Sequence, residues 1–249
     1  MLNHRLVTAF FAIGIGLVFI FCKLGTPCFY WLQMLLLFSY LIIEFAGAYF
    51  IGLNFHLTSL NHLNKNENKI ALTFDDGPSE PQTIKVLDTL KKHNVKATFF
   101  VIGKNISGNE AVMKRMVSEE HSIGSHSYTH HFWIDMWSRK KLKGDIEKSL
   151  SEIKNVTGHD VKLFRPPYGV TTPNFAYVLK ELNLRSVGWN VRSYDTSTSD
   201  VNKILARVLQ QTQNGSIILL HDRLDYAPEL LDKLIPALKE KKFEFVTLA

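Results

Sequence analysis

Five short polar clusters in this 249-residue chain have the residue types and spacing for chemistry. The first is Thr73-Phe74-Asp75-Asp76-Gly77-Pro78. Two adjacent carboxylates repel unless a cation or a proton separates them. The Gly and Pro that follow make a turn able to hold both, although an Asx-type turn explains the same residues. The second cluster spaces His126 and His130 four apart. On a helical turn both rings would point one way, as a metal pair requires. With ten histidines in the chain the spacing alone is weak, and His131 falls one residue off that face. The third is Arg165-Pro166-Pro167-Tyr168-Gly169. Its Arg could pair with a carboxylate, and its rigid turn could aim backbone N–H groups at a developing oxyanion. A loop with a solvent-facing Arg fits equally. The fourth runs from Trp189 to Thr196 and contains Asp195. Trp189 also suits a core position, and Asp195 also suits the cap of a helix starting near Ser199. The fifth, Leu219-Leu220-His221-Asp222, ends an apolar run in a histidine. That ring is either a general acid or a satisfied rim residue.

Positioning these clusters falls to the elements before them. Short apolar, β-rich runs predict strands at 69–74, 97–102, 122–125, 163–165, 186–189, 216–220 and 243–247. Amphipathic segments lie between them. Leu231, Leu234, Ile235 and Leu238 recur at i, i+3, i+4, i+7. Strands alternating with helices predict an α/β fold with mostly parallel strands. In such folds reactive side chains gather where strands end, and all five clusters follow a predicted strand. Asp76, His126 and His130 then offer three N/O ligands with an open position for water, a catalytic rather than structural zinc-type site. Asp75 stays free to take a proton. The set suits metal-assisted hydrolysis.

The charge is uneven. The net charge is +6, yet residues 1–60 carry only Arg5, Lys23 and Glu44. Residues 61–249 hold 27 Lys and Arg against 22 Asp and Glu. This argues against a plain cytosolic enzyme, and the absence of a long apolar run after residue 60 argues against a polytopic transporter. Residues 6–22 are uncharged, and 29–43 form a second apolar run that continues past Glu44 if that residue is tolerated. A bilayer core of about 30 Å needs roughly 20 helical residues. The preferred reading is a two-helix transmembrane hairpin turning at 23–27, with a cleaved signal peptide over 1–25 as its rival. Residues 1–60 are then a membrane anchor, 61–68 a linker and 69–249 the catalytic domain. Lysine and arginine bias does not set the orientation. Cys22 and Cys28 are the only cysteines, so no disulfide forms within 69–249. No basic stripe interleaved with aromatics suggests nucleic acid.

Over residues 69–249 the sequence resembles the polysaccharide deacetylase family, carbohydrate esterase family 4, also called NodB-like. The resemblance rests on Thr-Phe-Asp-Asp-Gly-Pro at 73–78, His-Ser-x-x-His at 126–130, Arg-Pro-Pro-Tyr at 165–168 and Leu-x-His at 219–221. It implies a deformed (β/α)7 barrel. It implies a divalent metal, usually zinc, on Asp76, His126 and His130. Asp75 would be the general base and His221 the general acid that protonates the leaving amine. Arg165 would orient Asp75, and Asp195 would tune His221. The Tyr168 N–H would stabilise the oxyanion. Leu219 would line the acetyl pocket, with Pro167 and Trp189 on the substrate side. The chain departs from the family pattern at Thr196, commonly Trp, and at Asn190, commonly Asp; the smaller Thr196 leaves one groove wall more open. The resemblance implies a hydrolase of non-peptide carbon–nitrogen bonds, removing N-acetyl groups from an N-acetylhexosamine envelope glycan. With the hairpin, it implies a cell-membrane protein whose domain is extracytoplasmic. A lipid-linked amino sugar is the alternative substrate, and an inactive glycan-binding relative is the alternative of another class.

Overall fold

A computed structural model of the chain describes residues 3–249. In chain order the elements are α1 (His4–Phe21), α2 (Pro27–Tyr49), β1 (Ser59–Leu60), β2 (Lys69–Asp75), α3 (Gln82–Lys92), β3 (Thr98–Val101), α4 (Glu110–Ser118) and β4 (Ser122–Ser125). There follow α5 (Arg139–Thr157), β5 (Leu163–Phe164), α6 (Pro173–Glu181), β6 (Arg185–Val187), β7 (Val191–Arg192), α7 (Val201–Gln211), β8 (Ile217–His221), α8 (Ala227–Glu240) and β9 (Glu244–Phe245).

Helices α1 and α2 are both long and apolar enough to cross a membrane. Asn3 and Thr26 cap them, their side chains accepting from the N–H of Leu6 and Phe29, and Pro27 occupies the first turn of α2, where its missing N–H costs nothing. The pair packs together: Gly14 lies against Leu36, and Thr8 Oγ1 is 3.3 Å from Tyr40 Oη. The outward side chains stay apolar, with Phe10, Ile20, Trp31 and Phe38 all more than 60% exposed.

The strands run in the order β1-β6-β5-β4-β3-β2-β8-β7, all parallel, with β9 added beside β2. Among the described residues no ladder joins β7 to β1, so the sheet is curled into a partial barrel rather than closed. Seven strands are predicted and nine are present among the described residues. The two extra, β1 and β7, are two residues each, too short to show a period. β1 lies inside the stretch expected as membrane anchor. Residues 61–68, expected as a linker, lie against the sheet: Leu63 N–H donates to Gly215 C=O at 2.7 Å, and His62 bridges to Ser216.

β2 sits between β3 and β8 and is buried on both faces. Alternation sends successive side chains to opposite sides. Ile70, Leu72 and Phe74 face outward, packing with Leu87, Leu90 and Leu234 of the covering helices. Ala71 faces inward with Phe100, Leu163, Val187 and Ile217. The same period puts Thr73 and Asp75 on the inward face, at the carboxyl end. Two-sided burial explains why β2 reads as a nearly continuous apolar run.

Candidate active site

Strand register brings the clusters to one rim. Asp75 is paired across the sheet with His221 of β8 and with Phe100 of β3. Val101 pairs with Ser125, and Ser125 with Phe164, so His126 and Arg165 begin at the same level. Both strands are prolonged by one bond: His126 N–H donates to Val101 C=O, and Arg165 N–H to Ser125 C=O. The rim encloses a cavity of about 180 Å³ lined by Asp75, Asp76, His126, His130, Tyr168, Gly169, Trp189, Arg192, Thr196, Leu219, His221 and Arg223.

Arg165 is wholly buried. Its Nη1 donates to Asp75 Oδ1 at 2.7 Å and to Thr73 Oγ1 at 2.9 Å, and its Nη2 to Gly188 C=O at 2.9 Å. The Phe100 ring lies 4.1 Å from the guanidinium carbon. Burial lowers the Arg165 pKa, and the Asp75 charge beside it opposes that fall. Asp75 is therefore held rigidly on one oxygen while Oδ2 faces His126, 3.8 Å from its Nε2.

Asp76 adopts a left-handed backbone, φ 76°, which turns its carboxylate across the rim from its neighbour. Its Oδ1 stands 3.5 Å from His130 Nε2 and 3.8 Å from His126 Nε2. Its Oδ2 accepts from Arg223 Nε at 2.9 Å. Burial pushes its pKa up, but the histidines and Arg223 outweigh that and hold it below the ordinary value. His126 Nδ1 lies 2.8 Å from the Arg165 carbonyl. A carbonyl only accepts, so Nδ1 carries a proton and Nε2 is the nitrogen turned to the two carboxylates, the orientation that metal-binding histidines take. Burial, and then the neighbouring His126, lower the His130 pKa to about 4, so this ring is neutral.

The sequence reading set these two histidines on a helical turn. The structure sets them on a loop, with Ser127 at φ 68° and His130 at φ 48°. Asp145 of α5 holds that loop, accepting from Tyr128 N–H, Thr129 N–H and Thr129 Oγ1 at 2.8–3.1 Å. His131 lies outside the cavity lining, against Trp137.

Across the cavity, His221 Nδ1 lies 2.8 Å from Asp195 Oδ1, while Asp195 Oδ2 accepts the His221 backbone N–H at 2.8 Å. The same logic puts a proton on Nδ1 and turns Nε2 towards the cavity, 4.0 Å from Asp76 Oδ2. Burial lowers the His221 pKa, and the Asp195 bond and charge more than reverse it, so the pKa is raised overall. Tyr226 Oη donates to the Asp195 carbonyl and fixes its backbone.

Of the expected substrate-side residues, Tyr168, Trp189 and Leu219 line the cavity, while Pro167 is buried behind the turn and is not part of the wall. Tyr168 is at φ 60° with its ring 4.7 Å from that of His130. Gly169 is required here: at φ 72° a Cβ would collide with the Trp189 ring. Thr196 lies on the wall, as the departure from the family pattern anticipates.

Sequence reasoning missed Arg223, Asp145 and Asp222. Asp222 is wholly buried, accepts from Thr83 Oγ1 at 2.7 Å, and sits where a Cβ on Gly77 would fall, so it braces the Asp-Asp-Gly-Pro turn. Burial raises its pKa to about 7. Arg223 continues the His221 run by two residues and could have been found there. Asp145, inside an amphipathic helix, carried no signal.

Comparison with known proteins gives the family. Residues 62–187 match the polysaccharide deacetylase family. The chain is 38% identical over 184 residues to the peptidoglycan-N-acetylglucosamine deacetylase PgdA of Listeria monocytogenes, covering 74% of this chain and 39% of that protein. It is 38% identical over 187 residues to a peptidoglycan-N-acetylglucosamine deacetylase of Bacillus cereus, covering 74% of this chain and 68% of the relative. The crystal structure of the Bc1960 peptidoglycan N-acetylglucosamine deacetylase superposes with a TM-score of 0.72 at 37% identity, covering 76% of this chain and 89% of that one. The chain thus spans about two fifths of the Listeria relative and about two thirds of the B. cereus one. A parallel α/β rim carrying the four motifs in order, and matches of this extent, lead to one statement: the chain belongs to the polysaccharide deacetylase family.

Proposed function

We propose that this protein is a membrane-anchored, metal-dependent hydrolase that removes N-acetyl groups from an N-acetylhexosamine glycan of the cell envelope, with peptidoglycan the first substrate to test. One observation carries the reading: the pair Asp75–Arg165, the triad Asp76–His126–His130 and the pair His221–Asp195 face one another around a single cavity. Loss of a member of that set would favour an inactive relative, and all of them are present.

The residues fit a divalent cation, zinc by donor type. Two imidazoles present Nε2 and a carboxylate completes a three-donor set. Such an ion supplies Lewis-acid polarisation of the amide carbonyl and acidifies water. Asp75, held by Arg165, takes the proton as water oxygen bonds to the acetyl carbon. The Tyr168 N–H receives the developing oxyanion, and Leu219 packs on the acetyl methyl. As the carbon–nitrogen bond breaks, His221 Nε2 delivers its proton to the leaving amine. Acetate and a free amino sugar are the products. Trp189 lines the substrate side of the cavity.

The apolar, exposed faces of α1 and α2 support a hairpin covered by lipid, since a helix apolar all round must be buried in something. The domain then lies outside the cytoplasm with its glycan. Thr171 N–H donates to Ala48 C=O at 2.9 Å, tying the end of α2 to the segment just after the Tyr168 turn. That contact supports a second substrate reading, an amino sugar still linked to its lipid. The test is acetate release from peptidoglycan, chitooligosaccharide, poly-N-acetylglucosamine and a polyprenyl-linked N-acetylamino sugar. Release from a polymer supports the main reading, release confined to the lipid-linked sugar supports the second, and no release from any of them overturns both.

A further inference from the structure

We propose that His4, Glu44 and His56 form a second divalent-metal site, of the zinc-binding class, that locks the helical hairpin onto the sheet domain. The three come from three segments: the first turn of α1, the last third of α2 and the loop that leads into β1. His4 Nδ1 lies 2.9 and 3.2 Å from the two Glu44 oxygens, and His56 Nε2 lies 3.6 Å from Glu44 Oε2. One donor atom from each falls within 4.8 Å of the others. A tetrahedral ion with bonds of about 2.0–2.1 Å keeps its ligand atoms about 3.4 Å apart. The 3.6 Å between His56 and Glu44 also falls within the spacing of the active-site triad, where His130 and His126 stand 3.5 and 3.8 Å from Asp76.

An ordinary ion pair accounts for His4 and Glu44 but leaves His56 unexplained. The His56 side chain is 3% exposed, and its Nδ1 has no hydrogen-bond partner among the described residues. Its Nε2, at 3.6 Å from the carboxylate, is too far for a hydrogen bond. Buried polar groups are ordinarily paired, yet neither ring nitrogen has a hydrogen-bond partner among the described residues, and Nε2 is the one turned to the carboxylate. Two imidazoles and a carboxylate are a zinc-type donor set, open for a water as fourth ligand.

The backbone around the site is fixed independently. His4 N–H donates to Phe55 C=O at 3.2 Å. Asn54, at φ 52°, accepts from Ser59 N–H and Asn61 Nδ2. An open cavity beside the cluster, lined in part by His4, Arg5, His56, Arg139 and Tyr177, gives an ion a way in.

The test uses the full chain in detergent micelles, without a polyhistidine tag, carrying His126→Ala and His130→Ala to empty the active site. After chelation the protein is dialysed against zinc and its metal content is measured. One zinc per chain is expected, lost on adding His4→Ala or Glu44→Gln in variants whose melting shows them folded; neither change removes a fully buried group. Cobalt in place of zinc should give the visible absorption of a four-coordinate site, absent in the same variants. No bound zinc in the folded double variant overturns the proposal. So does zinc that survives both substitutions.

Discussion

Asp195→Asn is the sharpest probe of the acid side of the site. Both Asp195 oxygens accept from the same residue, one from the His221 ring Nδ1 and one from its backbone N–H, each at 2.8 Å. The backbone N–H can only donate, so an Asn must turn its oxygen there and its amide nitrogen towards Nδ1. The ring then accepts at Nδ1, and the doubly protonated form is opposed by a facing N–H. A hydrogen bond to a charged group contributes about 1.5–3 kcal/mol, and one pKa unit corresponds to about 1.4 kcal/mol. The His221 pKa should fall by about 1–2 units. The sign follows from the role. As the proposed acid His221 must be protonated to act, so activity should be lost as pH rises through its pKa, which Asp195 helps to raise. The substitution moves that alkaline limb to lower pH by about 1–2 units and cuts turnover on the old plateau by about 10- to 100-fold. Acetate release measured from acid to alkaline pH at fixed metal reads both. An alkaline limb that stays in place, in a variant with normal metal content and melting temperature, refutes the assignment of His221 as the acid.

Three further outcomes follow from neighbouring groups. Asp75→Asn keeps the acceptor for Arg165 and should retain metal while losing about 10²–10⁴-fold in turnover; near-normal acetate release removes Asp75 as the base. Arg165→Met leaves a buried carboxylate without its partner, and breaking such a pair typically costs about 3–5 kcal/mol. Urea unfolding should show that loss, with part recovered in Asp75→Asn/Arg165→Met, and a loss near zero contradicts the buried ion pair. Asp222 has its folded pKa raised to about 7, so the folded state favours the neutral acid. The domain therefore loses stability as pH rises from the ordinary carboxyl value of about 4 up to that folded value. Asp222→Asn keeps the acceptor for Thr83 and removes the titration, so melting temperature should fall less over that range; an unchanged slope shows that Asp222 is not the group responsible.

What could be read in the sequence, and what could not, divides along a physical line. Asp75, His126, Arg165 and His221 each end or directly follow a buried strand, where an apolar run gives way to a polar group. That break needs no knowledge of packing, and parallel pairing then sets all four at one edge because the register is shared. The curl of the sheet was legible at the level of class. Its open edge was not, because β1 and β7 are defined by their partners rather than by any pattern of their own. Asp145 acts through bonds to residues 17 and 16 positions away, in surroundings that look like solvent-facing helix. The same holds for His4, Glu44 and His56. In sequence, Glu44 is only a charge that a membrane helix must tolerate. In the folded chain it meets two imidazoles where the hairpin joins the domain. There His4 Nδ1 lies within hydrogen-bond distance of both its oxygens and His56 faces it at 3.6 Å. Side chains that end a strand announce themselves locally, whereas those that bridge elements become visible only when the fold brings their partners within reach.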